Sequence, residues 1–212
     1  MKHDLARRSH VRVPQPRIPR SHRIDVDQAR LVAGAFLDAR QTSNDPVVVA
    51  AYSSLAAQAD QWYGRITSAS ARRSVRVVHT RCREPYATGW ELAEQVRASR
   101  VLELWPAQYD RDRPHPRLDM SVGGTYDRFR AVHDIVSHAW CGFGFDRNGE
   151  FSAWLAEDRM YTGVARWALA TELHAEHCVR WTTGHVAEHK ATLLPSQILS
   201  LSRRVGQVAH DE

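Results

Sequence analysis

Cysteine is scarce in this sequence, and its three copies, Cys82, Cys141 and Cys178, show no C-x-x-C spacing. That excludes a disulfide framework and a zinc ribbon built on paired cysteines. Long apolar runs are missing too, since no stretch approaches the roughly 20 residues that a membrane-crossing helix needs. The N-terminus has arginines but no hydrophobic centre, so it does not read as a secretory signal. No glycine loop matches a P-loop or dinucleotide fingerprint, and no serine sits in a nucleophile elbow. The expectation is a cytoplasmic protein with no membrane partner.

What remains is a chain of 212 residues, 43% hydrophobic and 25% charged, a globular composition. The sequence pI of about 9.4 suggests a polyanion partner, but the excess charge is local. Residues 1–25 hold seven Lys and Arg against Asp4 and Asp25, while the rest has 22 basic and 22 acidic residues. Pro14, Pro16 and Pro19 oppose helix within that stretch. The chain therefore divides into a disordered basic arm, 1–25, and a single globular domain, 26–212. The arm is the candidate contact for nucleic acid; the charge-balanced body gives no sign of tracking a phosphate backbone.

Helical periodicity dominates the body. Asp27 is placed to cap a first helix carrying Leu31, Val32, Ala35, Phe36 and Ala39 on one face. Asp45-Pro46 pairs an N-cap with proline at the first helical position. Val48, Tyr52, Leu55, Ala59, Trp62 and Ile66 then continue at three- and four-residue steps. Residues 74–80 and 100–105 read as short strands, joined by a helix over 90–98. Three prolines and a Gly123-Gly124 pair make 106–124 a long loop. The fold class is mainly α (α+β), a helical bundle in the C-terminal half with a small two-stranded element in the N-terminal half.

Chemistry-bearing residues gather in 125–195. Six of the twelve histidines fall between 133 and 189. At 100° per residue, residues 126–140 place Phe129, Val132, Ile135, Val136, Ala139 and Trp140 on one side. Arg130, His133, Asp134, Ser137 and His138 fall on the other. Asp134 and His138, four apart, can meet over one turn and share a metal or a proton. The simplest alternative is a solvated polar face. After the turn at 146–149, Glu150, Trp154, Glu157 and Tyr161 lie close together on the helical wheel. Next, Ala165, Ala168, Leu169, Glu172, Glu176 and Val179 follow the core template, which puts Glu172 inside an apolar stripe. An ionised carboxylate there is costly unless it is protonated, paired with a cation such as Arg130, or bound to metal. His174, His177, Trp167 and Trp181 form a stripe on the far side, and a short helix is expected from 185 to 190.

The elements HPRL at His115, FRAVHD with His138, Gly149-Glu150 with Ala153-Trp154, Met160-Tyr161, Thr171-Glu172 and HKATLLP from His189 resemble an uncharacterised bacteriophage and actinobacterial protein family. That resemblance covers at most the C-terminal sixty per cent of the domain and implies no activity. The stretch AVHDIVSH also resembles the His-Asp pair of the histidine-aspartate phosphohydrolases, which implies further ligands at His79 or His115 and at Asp158. The leading expectation is a metal-dependent enzyme with His133, Asp134, His138, Glu150 and Glu172 as ligands, and Glu150 and Glu172 as the catalytic carboxylates. Mixed His and carboxylate donors suit iron, manganese or zinc. Iron would give oxidation and an activated water hydrolysis, on a small-molecule or nucleotide substrate. A phosphohydrolase and a non-catalytic nucleic-acid- or protein-binding protein using the arm are the alternatives; the oligomeric state is left open.

Overall fold

The computed structural model describes residues 21–110 and 112–208. It is mainly helical, with one small parallel sheet. The first helix, α1 (Val26–Asp38), starts earlier than its periodicity suggests. Asp25, not Asp27, is the N-cap, its carboxylate accepting from the Gln28 N–H. The segment just before it is strapped to the body. The His22 N–H donates to Ser152 Oγ at 2.7 Å, the Ile24 N–H donates to Asn148 Oδ1 at 3.2 Å, and the Ile24 side chain is buried. The boundary of a free arm at residue 25 is thereby corrected; the remaining residues of that arm, 1–20, lie outside the described residues. Ile24→Ala is expected to lower the unfolding free energy by about 2–4 kcal/mol in urea titration, as for other buried aliphatic truncations.

Helix α2 (Pro46–Thr67) begins as its sequence indicates, with Asp45 accepting from the Val47 and Val48 N–H groups and Pro46 in the first turn. Its apolar stripe buries Val48, Ala51, Tyr52, Leu55, Ala59 and Ile66. Strands β1 (Arg76–His79) and β2 (Val101–Leu104) pair in parallel, Val77 opposite Leu102, with α3 (Gly89–Ser99) as the crossover that parallel pairing requires. The loop after β2 is pinned by Asp127, whose carboxylate accepts from the backbone N–H groups of Ala107 and Gly123 and faces His79 at 3.3 Å.

Helix α4 (Thr125–His133) runs on without a break into a π-helical segment, Asp134–Trp140. Helix α5 (Arg147–Asp158) is capped by Asp146. Its first turn sits hard against the preceding loop: a Cβ on Gly149 would lie 2.1 Å from the Gly144 carbonyl oxygen, so only glycine fits. Helix α6 (Ala165–Leu169) likewise widens into a π segment, Ala170–Ala175, before α7 (Glu176–Thr183). Gly184, at φ 77°, ends α7.

The expected helix over 185–190 does not form. Residues 185–195 run as an irregular strap held by other elements. The Lys190 ammonium donates to the carbonyls of Phe36, Leu37 and Ala39, capping the C-terminus of α1. Lys190 O accepts from the Tyr52 hydroxyl, and Thr192 O from Thr171 Oγ1. Helix α8 (Ser196–Val208) follows. The larger apolar core joins α1, α2, α5, α6 and α7; a smaller one lies between α3, the sheet and α4 with its π extension. No described helix is long and apolar enough to cross a membrane.

Candidate metal centre

The polar side of α4 and its extension is packed, not solvated: His133, Ser137 and His138 are all buried, whereas Trp140, expected in the core, is exposed. The reason is the π segment. Hydrogen bonds from i to i+5 widen the turn, so residues five apart come onto one side. His133 and His138, which an α-helix would point apart, meet with their Nε2 atoms 3.0 Å from each other. Glu150, seated by the Gly144–Gly149 contact, places Oε2 3.4 Å from His133 Nε2 and 3.8 Å from His138 Nε2. His177 of α7 brings its Nε2 to 3.7 Å from the same oxygen.

The other ring nitrogens decide what these four atoms offer. His133 Nδ1 donates to Glu157 Oε1 at 2.7 Å, and Ser137 Oγ donates to the same oxygen. His138 Nδ1 donates to the Phe143 carbonyl at 2.8 Å, and His177 Nδ1 to the Leu173 carbonyl at 2.6 Å. Each partner accepts, so each Nδ1 carries the hydrogen and each Nε2, a lone pair in the neutral ring, is turned toward Glu150. The two Nε2 atoms 3.0 Å apart need a proton or a metal ion between them. Glu150 Oε2 is buried and has no hydrogen-bond partner. Bonds of about 2.1 Å from one ion give ligand–ligand edges of roughly 3.0–3.4 Å, close to the separations here.

The electrostatics agree with that demand for positive charge. Burial alone would push His133 down, but Glu157 and Glu150 outweigh it and hold its pKa well above the usual imidazole range. Burial would raise the Glu150 carboxyl, but His177, His133 and His138 bring it down to about 2. His138 is lowered, by burial first and then by His133. Asp134 offers an oxygen within 4.8 Å of both His133 and His138 nitrogens, and burial raises its carboxyl above the usual range.

Glu172 keeps different company. It is buried as its stripe indicates, but it accepts from the Tyr52 hydroxyl at 2.6 Å and from His115 Nε2 at 3.2 Å, and it makes no ion pair with Arg130. His115, Glu172 and His189 also bring donor atoms within 4.8 Å of one another. Here the tautomer differs. His115 Nδ1 accepts the backbone N–H groups of Arg117 and Leu118, so Nε2 bears the hydrogen and donates it to Glu172. Burial would raise the Glu172 carboxyl, but His115 beside it holds it below the usual range. Glu176, bonded to His189, is pushed well above that range by burial and by Glu172. In this second group His115 presents a proton where the histidines of the first turn Nε2 toward a carboxylate, although Glu172 Oε2, like Glu150 Oε2, is buried with no hydrogen-bond partner.

The structure thus gathers His133, Asp134, His138 and Glu150 and sets Glu172 in a neighbouring cluster on the wall of the same cavity, of about 590 Å³. His177 and Glu157 were missed as site residues. The far-side stripe splits: His174 stacks on Trp154 at 4.2 Å and reaches Ser202, while His177 turns inward. The partners implied by the phosphohydrolase resemblance are not assembled. His79 faces Asp127, and Asp158 is taken by Arg166 and Arg203, tying α5 to α6 and α8. Those arginines hold the Asp158 carboxyl below its usual range against burial, which alone would raise it. Asp158→Ala is expected to cost about 2–3 kcal/mol, discounted for the partly exposed arginines, and to leave metal content unchanged by elemental analysis.

Buried His and carboxylate groups are therefore positioned to hold a metal ion. No protein family, curated protein or solved structure matches the chain, so its function is read from these side chains.

Proposed function

We propose that the protein is a metal-dependent enzyme whose divalent ion is held by His133, His138, His177 and Glu150. The observation that carries this is the common orientation of three imidazoles. All three donate Nδ1–H outward to fixed acceptors and turn Nε2 toward one buried, unpartnered carboxylate oxygen. A carboxylate or carbonyl behind each ligating histidine is the arrangement that fixes tautomer and ring orientation at protein metal sites.

Four protein ligands would close a tetrahedral zinc site, whereas six-coordinate iron or manganese keeps two positions open. The adjoining cavity, lined by His133, His138, Glu150 and His177 among others, favours an open site. Iron or manganese is therefore the preferred ion and oxidation of a bound small molecule the preferred chemistry; zinc with three ligands and a water would give hydrolysis. When bound, the ion supplies the open coordination positions. The chain's own part is to hold that ion at the wall of the cavity, with Glu157 strengthening His133 as a donor.

Elemental analysis of untagged protein, purified without added metal, is the direct test. About one ion per chain is expected, as for a single four-ligand site. Iron or manganese points to oxidation and zinc to hydrolysis. Metal-free protein that takes up no ion on titration with any of the three would sink the reading.

A further inference from the structure

Two arginines flank the ligands. Arg130 precedes His133 by one turn of α4, and Arg180 follows His177 by one turn of α7. Residues three apart on a helix are surface neighbours, so each arginine stands beside a ligand on a different helix. Both line the cavity. Arg130 donates one N–H to the Trp105 carbonyl at 2.9 Å. Its guanidinium has further donors, and among the described residues neither arginine has a carboxylate partner.

The nearby acids do not satisfy them. Glu172 is engaged by Tyr52 and His115, Glu176 by His189, and Glu150 by the histidines of the centre. Asp134, one turn beyond Arg130, feels its charge, which acts to lower the Asp134 carboxyl, but the two make no ion pair. A half-buried guanidinium such as Arg130 without an ion-pair partner is costly, and carboxylate or phosphate oxygens are the ligands its fork geometry fits.

We infer that the cavity takes a small anionic substrate, whose carboxylate or phosphate oxygens are gathered by Arg130 and Arg180 while its adjoining atoms face the metal centre. The placement of the adjoining atoms rests on the proposed metal centre; the capture of the anion by the arginines does not. The cavity volume of about 590 Å³ lies in the small-molecule range. Arg130 and His133 stand three residues apart on one helix, a rise of about 4.5 Å along its axis. A small ligand can therefore reach both, with its charged group only a few bonds from the reacting atom.

The test is calorimetric titration of the full chain, metal-loaded and metal-stripped, with oxalate, inorganic phosphate and neutral oxamide. The oxyanions are expected to bind and oxamide not to compete. Arg130→Gln should weaken oxyanion binding roughly 10- to 100-fold, the loss of one charge-assisted contact, with metal content unchanged. The stronger of oxalate and phosphate identifies the substrate's charged group. Arg180 is exposed, so Arg180→Gln should fold whatever becomes of the Arg130 variant, and it should weaken binding several-fold. Equal oxyanion affinity in wild type and both folded variants, or oxamide binding as well as oxalate, would overturn the inference. A wild-type chain that holds no metal overturns the centre instead, and the metal-stripped titrations still decide the role of the arginines.

Discussion

In the Glu150→Gln and His138→Ala variants, the stabilisation that metal confers on the wild-type chain is expected to disappear. An ion present at about 1,000 times its dissociation constant stabilises the folded state by roughly 4 kcal/mol. For a domain of this size that raises the melting temperature by about 8–16 °C. Removing one of the four converging atoms should abolish that rise and reduce bound metal to a small fraction of the wild-type value. Helix content by circular dichroism should hold. Without metal, Glu150→Gln removes a carboxylate buried beside three imidazoles, and His133 loses one of the two carboxylates that favour its charged form. Glu157→Gln is a graded control: it leaves every ligand in place and should weaken affinity only about 10- to 100-fold. A wild-type melting curve unmoved by iron, manganese or zinc, or variants that bind metal as well as wild type, would end the assignment.

Glu172→Gln should behave in the opposite way. Its carboxylate accepts from Tyr52 and His115 inside a fully packed stretch. Both donors share Oε1, so an amide can still accept from them, but it loses the charge and buries an NH2 group where Oε2 has no hydrogen-bond partner. The expected cost is about 2–4 kcal/mol in denaturant unfolding, the price of weakening two bonds to an ionised acceptor. Metal at the centre should be unaffected, because none of the four converging atoms belongs to Glu172. The sequence alone favours the reverse, a variant that loses metal and gains stability, because a carboxylate inside an apolar stripe points to an ion shared between helices, with Glu150 facing Glu172. Loss of metal in Glu172→Gln would show that the two clusters act as one site.

That contrast marks what the sequence could and could not disclose. Asp45-Pro46 and the stripe that follows define α2 because capping and 3.6-residue periodicity are local. The βαβ unit is legible for the same reason, through two short apolar runs around a short amphipathic stretch. The burial of Glu172 was readable from its neighbours, and so was the density of histidine and carboxylate between 133 and 189. The pairing inside that density was not. At 100° per residue Asp134 meets His138 and His177 faces away; with π turns at 134–140 and 170–175, His133 meets His138 and His177 joins Glu150. No propensity scale signals such a turn, because its hydrogen bonds depend on what packs against the helix. The strap at 185–195 was hidden for a similar reason: its bonds are made to α1, α2 and the segment before α7, distant in sequence.

The π segment at 134–140 also makes the centre depend on how the helix winds as well as on residue identity. An i-to-i+5 ring encloses one residue more than an α turn. A deletion of one residue between His133 and His138 would let that stretch relax to ordinary α geometry, a gain for the helix taken alone. The same deletion would leave His133 and His138 four apart, the α-helical spacing that shares a face, so that pair would survive it. What parts them is the return of the same residues to α turns at unchanged length, which carries His138 away from Glu150. A descendant could keep all four ligand types, wind them as an ordinary helix, and have nowhere to put the ion.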